Sequence, residues 1–437
     1  MNLKSNKAIT LVALIITIII LLILAGVSLS MILGENGLIN KAQSSVNAYQ
    51  QAALNEQNLL QSIEDYMGNF GLPENTPTTP AGTHVKPPVK WLGTIVDAVA
   101  DGKGNTFPVP KSFYYVGGDY TNGVIISDDP ADAYDGTTDK TTWEYTTNLV
   151  GNQFVWIPCT EQEYHKTDWG SQYAPCDYDN SNPSGSEVLQ IQKYDGFYVG
   201  RYEAGLADTI KKFTTGEQLG DNFSSPGYNV EGIPTSKANQ LPWNFINYNY
   251  CKKNAEKMYG NSMYVTSGLI TGTQWDVMLN KFIGTTNQNG LTFTKADITD
   301  SQKWGNYSNN SITYKGRLAR AHNNGSNWYF YPFGTEGISK TSNYIENANG
   351  AIYKGSGDGD LLTTGASKQT EAYHTYDVAG NMWEYTEEVG QTTAIHIARG
   401  GACIFSNIPA CFRSFNDVGN GSVMNFHIGF RVALFIK

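Results

Sequence analysis

Charge is scarce in this chain: Asp, Glu, Lys and Arg together make up only 16% of its 437 residues. So low a value, alongside the abundant glycine and tyrosine, argues against a disordered chain and a helical bundle. Positive charge is scarcer still. The 30 Lys and Arg are outnumbered by 40 Asp and Glu, the net charge is −10, and no basic cluster occurs. A nucleic-acid partner is therefore excluded, because phosphate binding needs a basic face. The five cysteines (Cys159, Cys176, Cys251, Cys403, Cys411) show no C-x-x-C spacing and the six histidines are scattered, so a structural zinc site is excluded. One or two disulfides stay open for an exported body, with at least one thiol left over. No G-x-S-x-G elbow, Walker loop or dinucleotide fingerprint is present. What is abundant is glycine (45) and tyrosine (27), the composition of a loop-rich, aromatic-rich body.

One long apolar run stands out. Lys4 and Lys7 are followed by Ala8 to Leu33 without a charge, longer than the ~20 residues a helix needs to cross a bilayer. The basic flank puts the N-terminus in the cytoplasm and everything after Leu33 outside. A secretory signal peptide cut near the small residues Ala25-Gly26-Val27-Ser28 is the competing reading. Beyond the run, Leu38, Ile39, Ala42, Val46, Tyr49, Ala53, Leu60, Ile63 and Met67 recur at helical steps, predicting an amphipathic stem kinked at Gly34 and Gly37. Gly68, Gly71 and Pro73 end it. Residues 72–90, with Pro73, Pro77, Pro80, Pro87 and Pro88, read as an extended linker. Residues 91–150 hold strand-like runs such as Ser112–Val116 and Gly123–Ile126 and read as a β-rich extension of the main domain. From 151 to 437 short strands alternate with polar loops and two predicted helices, Tyr248–Met258 and Gly272–Phe282. Residues 320–370 read mostly as irregular loop.

Lys7-Ala8-Ile9-Thr10-Leu11-Val12-Ala13-Leu14 resembles the leader junction of type IV pilin-like proteins. The resemblance implies cleavage between Ala8 and Ile9 by a prepilin peptidase, with a membrane-held helix and pilin-like subunits as partners. Ala8 stands where glycine is usual, and Ala13 where fibre-forming pilins carry Glu.

The densest motif is Tyr376–Tyr385, in which an Ala379-Gly380-Asn381 turn leads into Met382-Trp383-Glu384. With Arg399-Gly400-Gly401 and Ile428-Gly429-Phe430-Arg431-Val432 it forms an ordered trio. The trio resembles the formylglycine-generating-enzyme-like (sulfatase-modifying factor) domain, a variant of the C-type lectin fold. Phe154–Pro158 and Gly196–Glu203 resemble that family's first two strands, and Ser267–Asp276 stands at its helix start, without the family's Arg, Pro and Glu. The resemblance covers roughly 150–437 and implies an α+β, loop-rich body.

Several site expectations follow. Asn381 and Glu384 are oxygen donors three apart, and the resemblance implies Ca²⁺ bound by both with the backbone oxygens of Ala379 and Met382. The alternative is that Asn381 caps the turn and Glu384 pairs with a buried arginine, Arg399 or Arg431. Cys403 and Cys411 lie where the family's copper enzymes carry their two catalytic thiolates, but at C-x7-C rather than C-x4-C spacing, so copper is not expected. The iron-dependent relatives' H-x-x-x-H cluster has no counterpart. Arg399, Arg413 and Arg431 are read as internal buttresses. The interval 402–427 resembles the diversified face of retroelement-varied proteins, with Ile404, Phe405, Asn407, Phe412, Phe415, Asp417, Asn420 and Asn425 as ligand contacts. The competing account puts Phe405, Phe412, Phe415 and Phe426 in the core. The functional expectation is a single-pass membrane protein with its body at the cell surface, displaying a ligand-binding (adhesion) domain. The alternatives are an exported oxidase using Cys403 and Cys411, or a minor pilin or pseudopilin.

Overall fold

A computed structural model describes residues 79–437, apart from 171–172, 174–184, 207–217, 220–227, 316–319, 325–326, 332–343, 347–350, 355–360, 391–394, Asn407 and 419–423. The leader junction, the apolar run and the stem helix lie outside these residues. Among the described residues no helix is long and apolar enough to cross a membrane. Residues 78–437 form one compact α+β unit, in which strands outnumber helices.

The frame is a six-stranded sheet. Its strands are β3 (Tyr114–Gly117), β4 (Val124–Ser127), β5 (Gln153–Pro158), β6 (Gly196–Gly200), β7 (Val265–Leu269) and β12 (Val432–Ile436), ordered β3-β4-β5-β6-β12-β7 with every pairing antiparallel. Phe154 to Ile157 and Phe197 to Val199 are all fully buried. Such unbroken apolar runs mark strands covered on both faces. Residues 91–150 thus supply β3 and β4 to the same sheet as the strands that follow. They also form the antiparallel pair β1 (Val96–Ala100) and β2 (Thr106–Pro110).

The stretch read as a free linker is partly docked. Gly82 N–H donates to the Ala100 carbonyl and Val85 N–H to that of Ala98, so residues 82–85 run alongside β1. Its prolines flank this contact without interrupting it, because the donors needed come from Gly82 and Val85.

A four-stranded sheet carries the motif trio. Its strands are β8 (Trp383–Val389), β9 (Ile395–Arg399), β10 (Ser414–Val418) and β11 (Ile428–Phe430), ordered β10-β9-β8-β11. The β8–β11 pair is parallel, with Glu384 opposite Gly429. Arg431 is the single residue between β11 of this sheet and β12 of the other. The Gly429-Phe430-Arg431-Val432 block is therefore where the chain passes from one sheet to the next.

Four helices are described: α1 (Gly185–Tyr194), α2 (Tyr248–Lys257), α3 (Gly272–Phe282) and the short α4 (Lys295–Thr299). The helices expected at Tyr248 and Gly272 are both present. On α2 the apolar stripe Cys251, Ala255 and Met258 is buried as its spacing requires. A capping box starts α3: Thr271 Oγ1 accepts from Gln274 N–H, and Gln274 Oε1 accepts from Thr271 N–H. The region expected as loop contains strands instead, at Arg320–Asn324, Asn327–Tyr331, Tyr344–Glu346 and Ala351–Lys354. Consecutive aromatics such as Trp328-Tyr329-Phe330-Tyr331 favour a pleated surface, and the surrounding Asn and Gly obscure that signal.

Candidate functional site

The Ala379–Glu384 turn lies between the two sheets. Gly380 and Asn381 both have left-handed backbones, at φ 71° and 60°. A Cβ on Gly380 would stand 2.3 Å from the Asn306 carbonyl oxygen, so only glycine fits there. The turn is held by Gly380 N–H to Gly400 O (2.8 Å), Asn306 N–H to Ala379 O (3.1 Å) and Cys403 N–H to Asn381 O (3.0 Å). It thus fixes the start of the 402–427 interval.

The turn's side chains are fully engaged. Asn381 Oδ1 accepts from Leu362 N–H and Asn306 Nδ2, both at 2.9 Å, and its Nδ2 donates to Glu203 Oε2 at 2.6 Å. Met382 N–H donates to Glu203 Oε1 at 3.1 Å. Glu384 receives both arms of a guanidinium fork, from Arg431 Nε at 2.9 Å and Nη2 at 2.6 Å. Arg431 also donates to the carbonyls of Gly200 (3.0 Å) and Tyr376 (2.8 Å). Burial, with Asp377 and Glu384 nearby, pushes the Glu203 carboxyl well above its ordinary range.

These residues do not fit the calcium site expected of them. The Glu384 carboxylate is spent on Arg431, the Asn381 oxygen on two N–H donors, and the Ala379 carbonyl on Asn306. A guanidinium at hydrogen-bond distance would also repel a dication. Among the described residues no group of three or more His, Cys, Asp or Glu is arranged to hold a metal. The turn is closed by an amide cap and a buried ion pair.

A second ionic cluster lies beneath the interval. Arg399 donates to Glu388 Oε2 (2.8 Å), Asp276 Oδ1 (2.5 Å) and the Cys411 carbonyl (3.2 Å). Arg413 donates to Glu388 Oε1 (2.8 Å), to Asp276 Oδ2 and to the Tyr173 carbonyl (2.6 Å). Asp276 also accepts from Trp169 Nε1 and Thr167 N–H, both at 3.0 Å. Burial alone would raise the Glu388 carboxyl, but Arg399, Arg413 and Lys166 hold it down at about 2. All three buttress arginines of the sequence are thus buried and paired with carboxylates. Their partners Asp276 and Glu388, with Glu203 and Asn306 at the turn, were not singled out in the sequence. Asp276 and Glu203 leave a trace there, as the acids closing the helix-start and second-strand motifs.

The described cysteines, Cys159, Cys251, Cys403 and Cys411, are free thiols and buried, so no disulfide joins Cys403 to Cys411; Cys176 lies outside the described residues. Burial pushes the Cys411 thiol up to about 12, which is the reverse of the thiolate that copper chemistry needs.

The interval itself divides. Phe426, 4% exposed, belongs to the core, as the competing account had it. Ile404, Phe405, Phe412 and Asn425 are half-buried. Phe405 and Phe412 lie over Trp383, with ring centroids 6.2 and 6.0 Å away, and Phe412 meets Tyr173 edge-on at 5.8 Å. Phe415 and Asp417 lie on β10, opposite Ile397 and His396, while Asn407 and Asn420 fall outside the described residues.

With that geometry in view, residues 294–436 match the family described as the sulfatase-modifying factor enzyme 1-like domain. The match spans the turn, both cysteines and the whole 402–427 interval. No curated protein matches the chain. Among solved structures, one titled "Crystal Structure of CarF" aligns over 66% of this chain and 100% of its own, at 12% identity and a TM-score of 0.33.

Two tests follow. Glu384→Gln should lower stability by roughly 3–5 kcal/mol, the usual result of breaking one half of a buried ion pair. The loss should be the same with calcium or with EDTA in thermal melts. A wild-type melting temperature that falls on chelation would restore the metal. The second test concerns acid. Glu388 titrates below its unfolded value of 4.5, so its contribution is complete above about pH 4.5 and is lost as pH falls toward about 2. Asp377, pushed up by burial to about 6, acts in the opposite sense, losing stability as pH rises from its unfolded 3.8 to about 6. Glu388→Gln should therefore be less stable at pH 7 and show a flatter decline below pH 4.5 than the wild type. An unchanged acid limb would mean that Glu388 is not the group titrating there.

Proposed function

We propose that the chain is a membrane-anchored surface protein whose body displays the 402–427 interval as a ligand-binding face. One observation carries this reading: the backbone of the interval is held from outside, while Ile404, Phe405 and Phe412 pack on the core with one side and stay partly exposed on the other. Cys403 N–H donates to Asn381 O (3.0 Å), Ser308 N–H to Phe405 O (3.0 Å), Trp275 Nε1 to Ala410 O (3.0 Å) and Phe245 N–H to Asn425 O (2.9 Å). Arg399 adds its bond to Cys411 O (3.2 Å). None of these contacts uses the side chains of Ile404, Phe405 or Phe412. A loop fixed in this way tolerates exchange of its outward residues, and aromatic side chains beside small polar ones give contact area at low entropic cost. The retroelement resemblance of the interval points the same way, and the apolar run Ala8–Leu33 supplies the anchor.

An exported oxidase acting through Cys403 and Cys411 is less well supported, since both thiols are buried and Cys411 is held protonated. A minor pilin or pseudopilin role rests on the leader junction alone.

The test exchanges Ile404, Phe405, Asn407, Phe412, Phe415, Asp417, Asn420 and Asn425 together. The variant should express in soluble form and melt within a few degrees of the wild type, while losing adhesion of protein-coated beads to target cells. Phe426→Ala, by contrast, should cost ~3–5 kcal/mol as a core truncation. Aggregation of the eightfold variant would return the interval to the core. For the anchor, the mature N-terminus should be Ile9; a start near Ser28 would establish a released product.

A further inference from the structure

A cleft of about 550 Å³ opens between the β1–β2 pair, β3 and the loop around Tyr134. It lies in the β-rich extension, a region to which neither the motif trio nor the 402–427 face contributes a lining residue. Cavities of ~300–1,000 Å³ hold small ligands, and this one has their usual make-up of apolar floor and polar rim. Val99, Val109, Phe113 and Tyr115 form the floor, all buried. Tyr134 stands as a wall, its ring edge-on to Tyr115 at 5.6 Å. Tyr114, 38% exposed, projects at the mouth.

The rim decides the ligand's chemistry. It carries the hydroxyls of Thr83, Ser112, Tyr114 and Tyr134 and the imidazole of His84, with one carboxylate, Asp97, and one ammonium, Lys111. Among the described residues none of these seven side chains makes a hydrogen bond or ion pair with the protein. The set holds donors and acceptors in both neutral and charged forms, and its charges cancel. A phosphate or sulfate would meet one lysine and an imidazole opposed by an aspartate, and a cation a single aspartate opposed by a lysine. A fatty chain would leave the hydroxyls unpaired against it. Tyrosine rings beside hydroxyl-matching groups fit a ligand with apolar C–H faces and many O–H groups at its edges.

We propose that this cleft binds a neutral glycan of one or two sugar units, stacked against Tyr114 and Tyr134 with its hydroxyls shared among Thr83, Ser112, Asp97 and Lys111. The site is independent of the ligand face at 402–427, and the two fail or succeed separately.

The test titrates the full chain with four neutral disaccharides (cellobiose, chitobiose, lactose and maltose) at millimolar concentration, read by saturation-transfer NMR. At least one should show transfer to its ring protons. Tyr114→Ala and Thr83→Trp act at exposed positions, the first removing the stacking ring and the second filling the cleft. Each should weaken binding about tenfold or more, near 1.4 kcal/mol, without moving the melting temperature. Phe405→Ala should leave sugar binding unchanged. Absence of transfer for all four sugars would overturn the proposal, as would wild-type affinity in both cleft variants. Loss of binding in Phe405→Ala alone would assign the sugar to the other face and overturn it equally.

Discussion

The fold depends on the buried fork between Arg431 and Glu384. Arg431 sits at the one point where the chain leaves the four-stranded sheet and enters the six-stranded one, and its guanidinium reaches the end of β6, the Tyr376 carbonyl and the strand that follows the turn. Desolvating both charges is costly, so the pair contributes less net stability than its geometry suggests. What it fixes is arrangement. A guanidinium fork with three separate acceptors allows only one relative placement of the strands that carry them. The same pairing consumes the carboxylate that a cation would have needed, so a structural task displaces a metal-binding one.

Gly429 shows how closely the elements meet there. A Cβ at that position would stand 2.5 Å from the Met382 side chain and 2.8 Å from the Trp243 carbonyl oxygen. The Gly-Phe-Arg block is thus a packing signature: glycine for the close approach of β8, phenylalanine for the core, arginine for the crossing between sheets. The Arg-Gly-Gly block works similarly, with Arg399 feeding the Asp276–Glu388 cluster while the Gly400 carbonyl accepts from both the turn and Tyr307. Around these fixed points the 402–413 backbone is suspended. Support from outside lets a core residue, Phe426, and partly exposed ones, Phe405 and Phe412, share one interval.

The extension at 91–150 changes the picture of the body in a different way. It is not an appendage, because β3 and β4 continue the main sheet outward from β5. The added layer creates a concave surface far in sequence from the motif trio. That surface shares no lining residue with the 402–427 interval.

Local pattern alone determined a good deal. The helix at Tyr248 was legible from its Cys251, Ala255 and Met258 stripe, while the strands at Phe154 and Gly196 were legible through their likeness to the family's first two strands. The likeness of the last third to the sulfatase-modifying factor domain was legible too, since its three blocks keep their order. Tertiary structure alone decided which partner each buried group would take. Asn381 and Glu384 carry the oxygens a cation would want, and nothing in their spacing shows that Leu362, Asn306 and Arg431 arrive first. Nor does C-x7-C spacing reveal two free, buried thiols, or a proline-flanked stretch laid against β1 through Gly82 and Val85. Burial and pairing depend on residues from 19 to 178 positions away, and such neighbours leave no mark on the sequence around a site.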